Sequence, residues 1–249
     1  MATKITSKKA TSKKPVRKQE SSFGSKVKRF LFKALLWFFG LSIFSVVVFK
    51  FVPVPFTPLM VIRYFENVAD GKENHFSHDW EPIENISMNL QKAVIASEDG
   101  TFLTHNGFDF LAMQKAYKSN ERGRRIKGGS TISQQTAKNV FLWQGRIYLR
   151  KGVEAYFTVL IEMIWGKKRI MEVYLNSIEM GDGVYGAHAA TQYWYRKDAS
   201  SLTKMQAAGI AAILPNPRKY KATSSSSYIN NRKAKIVRVM NHVGTINYK

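Results

Sequence analysis

The stretch AVIASEDGTF, residues 93–102, sets an acidic pair where an apolar helical pattern runs into a glycine. Leu90, Val94 and Glu98 stand four residues apart, so on a helix the Glu98 carboxylate continues the stripe that turns toward the core. A carboxylate is seldom buried without a partner or a chemical task. The same period recurs downstream. Val153, Phe157, Leu160, Ile161 and Ile164 mark a helix over 148–165, and Ile170, Val173 and Tyr174 mark another over 168–176. An Ala-, Met- and Ile-rich run over 202–214 stops at Pro215. Beyond a loop at 224–227, Ile229, Ile236, Val237 and Met240 line a last helix with Lys and Arg on its other face. Without a run of alternating strands or an internal repeat, the fold class is predicted to be mainly α.

The chain has 249 residues, 45% of them hydrophobic, enough for one substantial domain with appendages. Its formal charge of +22 points to an anionic partner: nucleic acid, a membrane surface or a phosphate-bearing substrate. Eleven Lys or Arg fall in the first 33 residues against one acid, Glu20. Residues 1–29 are therefore expected to be a disordered basic cytoplasmic tail, too poor in large apolar side chains to offset chain entropy. Residues 30–52 carry no charge between Ala34 and Phe49 and are flanked by Lys33 and Lys50. That is the pattern of one membrane-spanning helix whose lysines reach the interface. Pro53 and Pro55 follow it instead of a small-residue cleavage site, which argues against a signal peptide. The basic side stays in the cytoplasm, so residues 53–249 are expected outside it, away from nucleic acid. The chain has no cysteine, which rules out disulfides and thiol catalysis.

Two further stretches carry chemistry. In KGGSTISQQTAKNVFL, residues 127–142, Gly128 and Gly129 precede Ser130 and Thr131, and Thr131 with Gln134 has the spacing of a capping box at a helix start. Free N–H groups there, with Lys127 and Lys138 nearby, suit an anion, although a capped surface helix explains the same residues. The spacing is not that of a P-loop. In WQGRIYLRKGVEAYF, residues 143–157, Arg146, Arg150 and Lys151 precede Glu154, which sits beside the stripe of Phe157 and Ile161. Glu98 and Glu154 read either as members of structural ion pairs or as an acid/base pair working on a sugar or phosphate. The five histidines show no ligand spacing, so no metal site is assigned.

Taken together, Glu98-Asp99-x-x-Phe102-x-x-His105-x-Gly107-x-Asp109, then Gly128-Gly129-Ser130-Thr131-Ile132-Ser133-Gln134-Gln135-x-x-Lys138-Asn139, then Arg150-Lys151-x-x-Glu154 and Glu172-x-Tyr174-Leu175-Asn176 resemble the successive motifs of the peptidoglycan glycosyltransferases. With one anchor and no room for a transpeptidase domain, the chain resembles the monofunctional biosynthetic transglycosylases over residues 85–218.

The resemblance implies a lysozyme-like, mainly α glycosyltransferase domain with a small membrane-facing jaw lobe, in the bacterial inner membrane with its catalytic domain periplasmic. It implies polymerisation of lipid II. The glycan on undecaprenyl diphosphate is the donor, the 4-hydroxyl of the incoming N-acetylglucosamine attacks, and inversion gives a β-1,4 bond. By the same resemblance Glu98 is the general base. Lys138 and Arg146 meet the pyrophosphate, and Ser130, Gln134 and Gln135 are polar substrate contacts. Glu154 orients the cations, Lys151 among them, or a divalent metal, Mg or Mn, or the donor. Lys115 stands where relatives carry arginine, keeping charge but losing the bidentate fork. Arg122, Arg124, Arg125 and Lys127 make the jaw unusually basic, fit for phospholipid headgroups, while Phe108, Phe110, Leu111, Met113 and Tyr117 supply apolar contacts; ordinary core residues with a solvated charged loop explain the same stretch equally well. Proteins of cell-wall synthesis or division are the further partners implied. A lysozyme-like fold also serves enzymes that cleave glycan, and a scaffold could keep the fold without activity. The cations around Glu154 favour a diphosphate substrate over a neutral glycan.

Overall fold

The computed structural model describes residues 22–71, 75–121, 128–145 and 147–248. Most of the expected tail, Arg146, and the jaw residues Arg122, Arg124, Arg125 and Lys127 lie outside the described residues.

Ten α-helices are described: α1 (Ser22–Phe51), α2 (Pro58–Ala69), α3 (Met88–Glu98), α4 (Phe110–Glu121), α5 (Ile132–Phe141), α6 (Tyr148–Ile164), α7 (Gly166–Ser177), α8 (Ala187–Tyr195), α9 (Lys204–Ile213) and α10 (Ser227–Met240). Helix α1 starts at Ser22, inside the segment expected to be a tail. Lys and Arg are good helix formers, so the helical pattern of the apolar run extends back through Arg29, Lys28 and Lys26. It is long and apolar enough to cross a membrane.

The chain divides into two compact units, residues 1–41 and 42–249. In the first, the described part of α1 exposes Phe30, Leu36 and Trp37. The second begins before the expected boundary at residue 53, because the last turns of α1 are fastened to it. Val46 is fully buried and its carbonyl accepts from Trp165 Nε1 at 2.7 Å. The Arg169 guanidinium caps the helix end by donating to the Phe49 and Val52 carbonyls.

Within the second unit α3 packs on α9 and α10, and α5 packs on α6 and α7. Leu90 and Val94 of α3, Ile132 of α5, Ile161 of α6 and Ile170 of α7 lose all contact with solvent. Helix starts follow local chemistry: Thr57 caps α2 ahead of Pro58, and Thr203 and Gln206 close a capping box on α9. The sequence pattern does not announce a small sheet, ordered β1 (Ser77–His78), β3 (Val184–Tyr185) and β2 (Glu179–Gly181). Strand β1 runs parallel to β3, and β2 and β3 form a hairpin. Gly183 in its turn has φ +70°, and a Cβ there would lie 1.8 Å from the His75 carbonyl oxygen, so only glycine fits. The fold is mainly α, of the lysozyme-like class.

Candidate active site

The acidic pair at the end of α3 divides its labour. Asp99 is buried and faces the protein: its carboxylate accepts from His105 Nε2 at 2.9 Å and from the Ile132 backbone N–H at 2.9 Å. Ile132 is the first residue of α5, so Asp99 supplies negative charge at that helix's positive end. His105 Nδ1 in turn accepts from the Gly107 N–H at 3.0 Å, which leaves the proton on Nε2 for Asp99. Gly107, at φ +88° with no room for a Cβ beside Thr158, gives its carbonyl to the Thr131 hydroxyl at 2.6 Å. The end of α3 and the start of α5 are thereby tied by a closed set of hydrogen bonds. Asp99→Ala is expected to destabilise the protein by about 1–3 kcal/mol, the cost of leaving buried donors unpaired, read as a lowered midpoint in denaturant unfolding.

Glu98 is only partly buried. Its carboxylate accepts from Gln135 Nε2 at 3.2 Å and from the Ser97 hydroxyl at 3.3 Å. Gln135 is held from behind by the Tyr174 hydroxyl at 3.3 Å. Burial pushes the Glu98 carboxyl above its ordinary value; the Gln135 hydrogen bond, the Arg232 charge from α10 and Ser97 work against that rise, and the Asp99 charge adds to it. Beside Glu98 opens a small cleft of about 80 Å³, whose far wall is Gly128, Gly129, Ser130 and Thr131.

One turn along α5 from Gln135 stands Lys138, half-buried. Burial lowers the pKa of its ammonium, Glu154 opposes that, and Arg150 and Lys151 reinforce it. Glu154, on α6 and 2% exposed, accepts from Arg150 Nη1 at 2.8 Å through one oxygen and from Lys151 Nζ through the other. Arg150 also donates to the Gly145 carbonyl. Three cations thus gather around one carboxylate and leave positive charge in excess.

The structure therefore brings together Glu98, Gln135 and Ser130 at one end of α5, and Lys138, Lys151, Arg150 and Glu154 along it. Gln134 is buried, and its amide oxygen accepts from the Thr131 N–H to close the predicted capping box. Lys115 is exposed on α4 and makes no described contact with either group. Among the described residues no three His, Cys, Asp or Glu side chains converge on a metal position. Both Glu154 oxygens are engaged by cations, so the protein's own donors do not fit a Mg or Mn ion there.

The sequence placed Asp99 and Tyr174 within the motifs without a role of their own, and it did not point to Arg232. Asp99 was in view as the second half of the acidic pair, and Tyr174 as a member of an apolar stripe. Arg232 gave no signal, because its approach to Glu98 depends on α10 packing against α3 and α9.

A family model described as Transglycosylase matches residues 65–241. Similar curated proteins include a Biosynthetic peptidoglycan transglycosylase of Pseudomonas syringae, 51% identical over 220 residues that cover 88% of this chain and 93% of the relative. Proteins of the same name from Bacteroides thetaiotaomicron (50% identical, 88% of each chain) and Caulobacter vibrioides (56% identical, 77% of this chain and 81% of the relative) are also similar. Matched over most of its length by both kinds of comparison, the chain belongs to the transglycosylase family of peptidoglycan glycosyltransferases.

Proposed function

We propose that this peptidoglycan transglycosylase polymerises lipid II, with Glu98 as general base and Lys138 in the cation group that meets the donor pyrophosphate. The observation that carries the reading is the layout along α5. Gln135 touches Glu98, and one turn on Lys138 stands with Arg150, Lys151 and Glu154. A partly desolvated carboxylate takes the proton of the attacking 4-hydroxyl better than a hydrated one. A diphosphate leaves without full protonation, so the larger need at the donor is positive charge. Attack from the face opposite the pyrophosphate inverts the anomeric carbon and gives a β-1,4 bond. Glu154 is a positioning residue in this scheme, holding Arg150 and Lys151 where the phosphates arrive. Helix α1 anchors the enzyme, with its basic end in the cytoplasm and the catalytic unit on the other side.

The test is incubation of the full chain with fluorescent lipid II, separated on a gel with and without muramidase. Ladders that muramidase removes support polymerisation; shortened preformed strands with untouched lipid II would move the protein to glycan cleavage. The pH profile checks the base. Glu98 must be ionised to act, so activity should fall as pH drops through its raised pKa, with the acid limb above the usual carboxylate range. Gln135→Ala removes a hydrogen bond that favours the ionised form, so the limb of kcat/KM should move to still higher pH.

A further inference from the structure

Helix α2 has two apolar faces, and the fold uses one. Leu59 and Met60 turn inward against Tyr185, with Asn67 buried beside them. Val61, Tyr64, Phe65 and Val68 stand at i, i+3, i+4 and i+7, which is the spacing of a core stripe, yet all four are exposed. Phe56 before the helix and Phe76 after it extend the patch. Phe56, Tyr64 and Phe76, with Met60 and Val61, enclose an apolar hollow of about 300 Å³. A contiguous exposed stripe of this kind marks a surface that something covers.

The chain itself indicates the occupant. Helix α1 ends at Phe51 and α2 begins at Pro58, so at most about 25 Å of extended chain separates them. The connection does not swing freely, since Arg169 holds the Phe49 and Val52 carbonyls against the catalytic unit. The junction also exposes apolar side chains of its own, Phe51, Val52 and Phe56, although Val54 between them is buried. The charges of α2 stay off the stripe: Arg63 pairs with Glu66 and lies 3.8 Å from Glu179, and Arg218 of the catalytic unit reaches Asn67.

We propose that the exposed stripe of α2 lies in the bilayer interface as a second membrane contact, separate from the jaw, and that the hollow takes phospholipid acyl chain. This rests on the reading of α1 as a membrane anchor. The contact adds a second point of attachment to the fastened end of α1 and so sets how the catalytic unit faces the membrane.

The absence of cysteine allows a direct test. Single substitutions Val61→Cys, Tyr64→Cys and Val68→Cys in the full chain are labelled with a fluorophore and reconstituted into phosphatidylcholine–phosphatidylglycerol vesicles. Ser225→Cys, on an exposed polar loop, calibrates the aqueous signal. All three stripe labels should be quenched by nitroxide lipids at a depth of about 5–10 Å, where interfacial helices sit, and resist aqueous iodide. Full-chain protein that fails to float with the vesicles would remove the anchor reading and this one with it. Protein that floats but whose stripe labels match the Ser225→Cys control would overturn the α2 contact alone. Labels shielded from both quenchers until the protein is diluted would place a second copy on the stripe and also overturn it.

Discussion

Glu98→Gln is expected to lower lipid II polymerisation by about 10²-fold or more, the ordinary loss when a general base is removed, while lipid II binding stays nearly intact. The amide keeps the size of the side chain and can still meet Gln135 and Ser97, so the α3–α5 junction is not disturbed. It cannot take a proton from the attacking hydroxyl. Asp99 continues to hold His105 and the Ile132 N–H, so stability should change little. The measurement pairs the initial rate of ladder formation with the affinity of the variant for fluorescent lipid II. A variant retaining more than about a tenth of the rate would remove Glu98 from the role of base.

The second large effect is expected at Lys138. Lys138→Ala should cost about 10²–10³ in kcat/KM, on the scale seen when a group aimed at developing negative charge is lost. Unlike Glu98→Gln, it should also weaken lipid II binding, because the ground-state substrate already carries the phosphates. Lys138 is half-buried beside Glu154, Arg150 and Lys151, and burial lowers its pKa. An anion in that position therefore gains more from it than from a fully hydrated lysine. Single-turnover rates and binding curves separate the two losses. Unchanged binding with a slowed rate would assign Lys138 to the transition state alone.

Much of this was readable from residue order. Thr131 and Gln134 have capping-box spacing because the box is a local device, and α5 begins where it predicts. Glu98 stood out because a helix period spans only four residues. Glu154 was legible as an acid amid cations, and both of its ion pairs are within one turn of α6. What local pattern could not carry was contact across long separations. The sheet pairs Ser77 with Val184 over strands of two or three residues, too short for alternation to register. Arg232 comes to Glu98 only through packing of α10. The start of α1 was misjudged for a different reason: its first turns hold basic residues that favour helix but bury nothing, and composition alone describes such a segment as a tail. Helix α2 was not read from the sequence at all, and periodicity would in any case mark its apolar stripe without saying whether anything packs on it.

The closed set of bonds joining the end of α3 to the start of α5 makes the site a ruler. Glu98 is the last residue of one helix, Lys138 lies within the other, and Asp99 fixes the point where the two scales meet. On the proposed chemistry, the backbone sets the spacing from which the Glu98 and Lys138 side chains reach out. What that spacing grades is the meeting of two molecules: the acceptor hydroxyl has to reach the donor's anomeric carbon while the diphosphate borne by that same carbon rests at the cations.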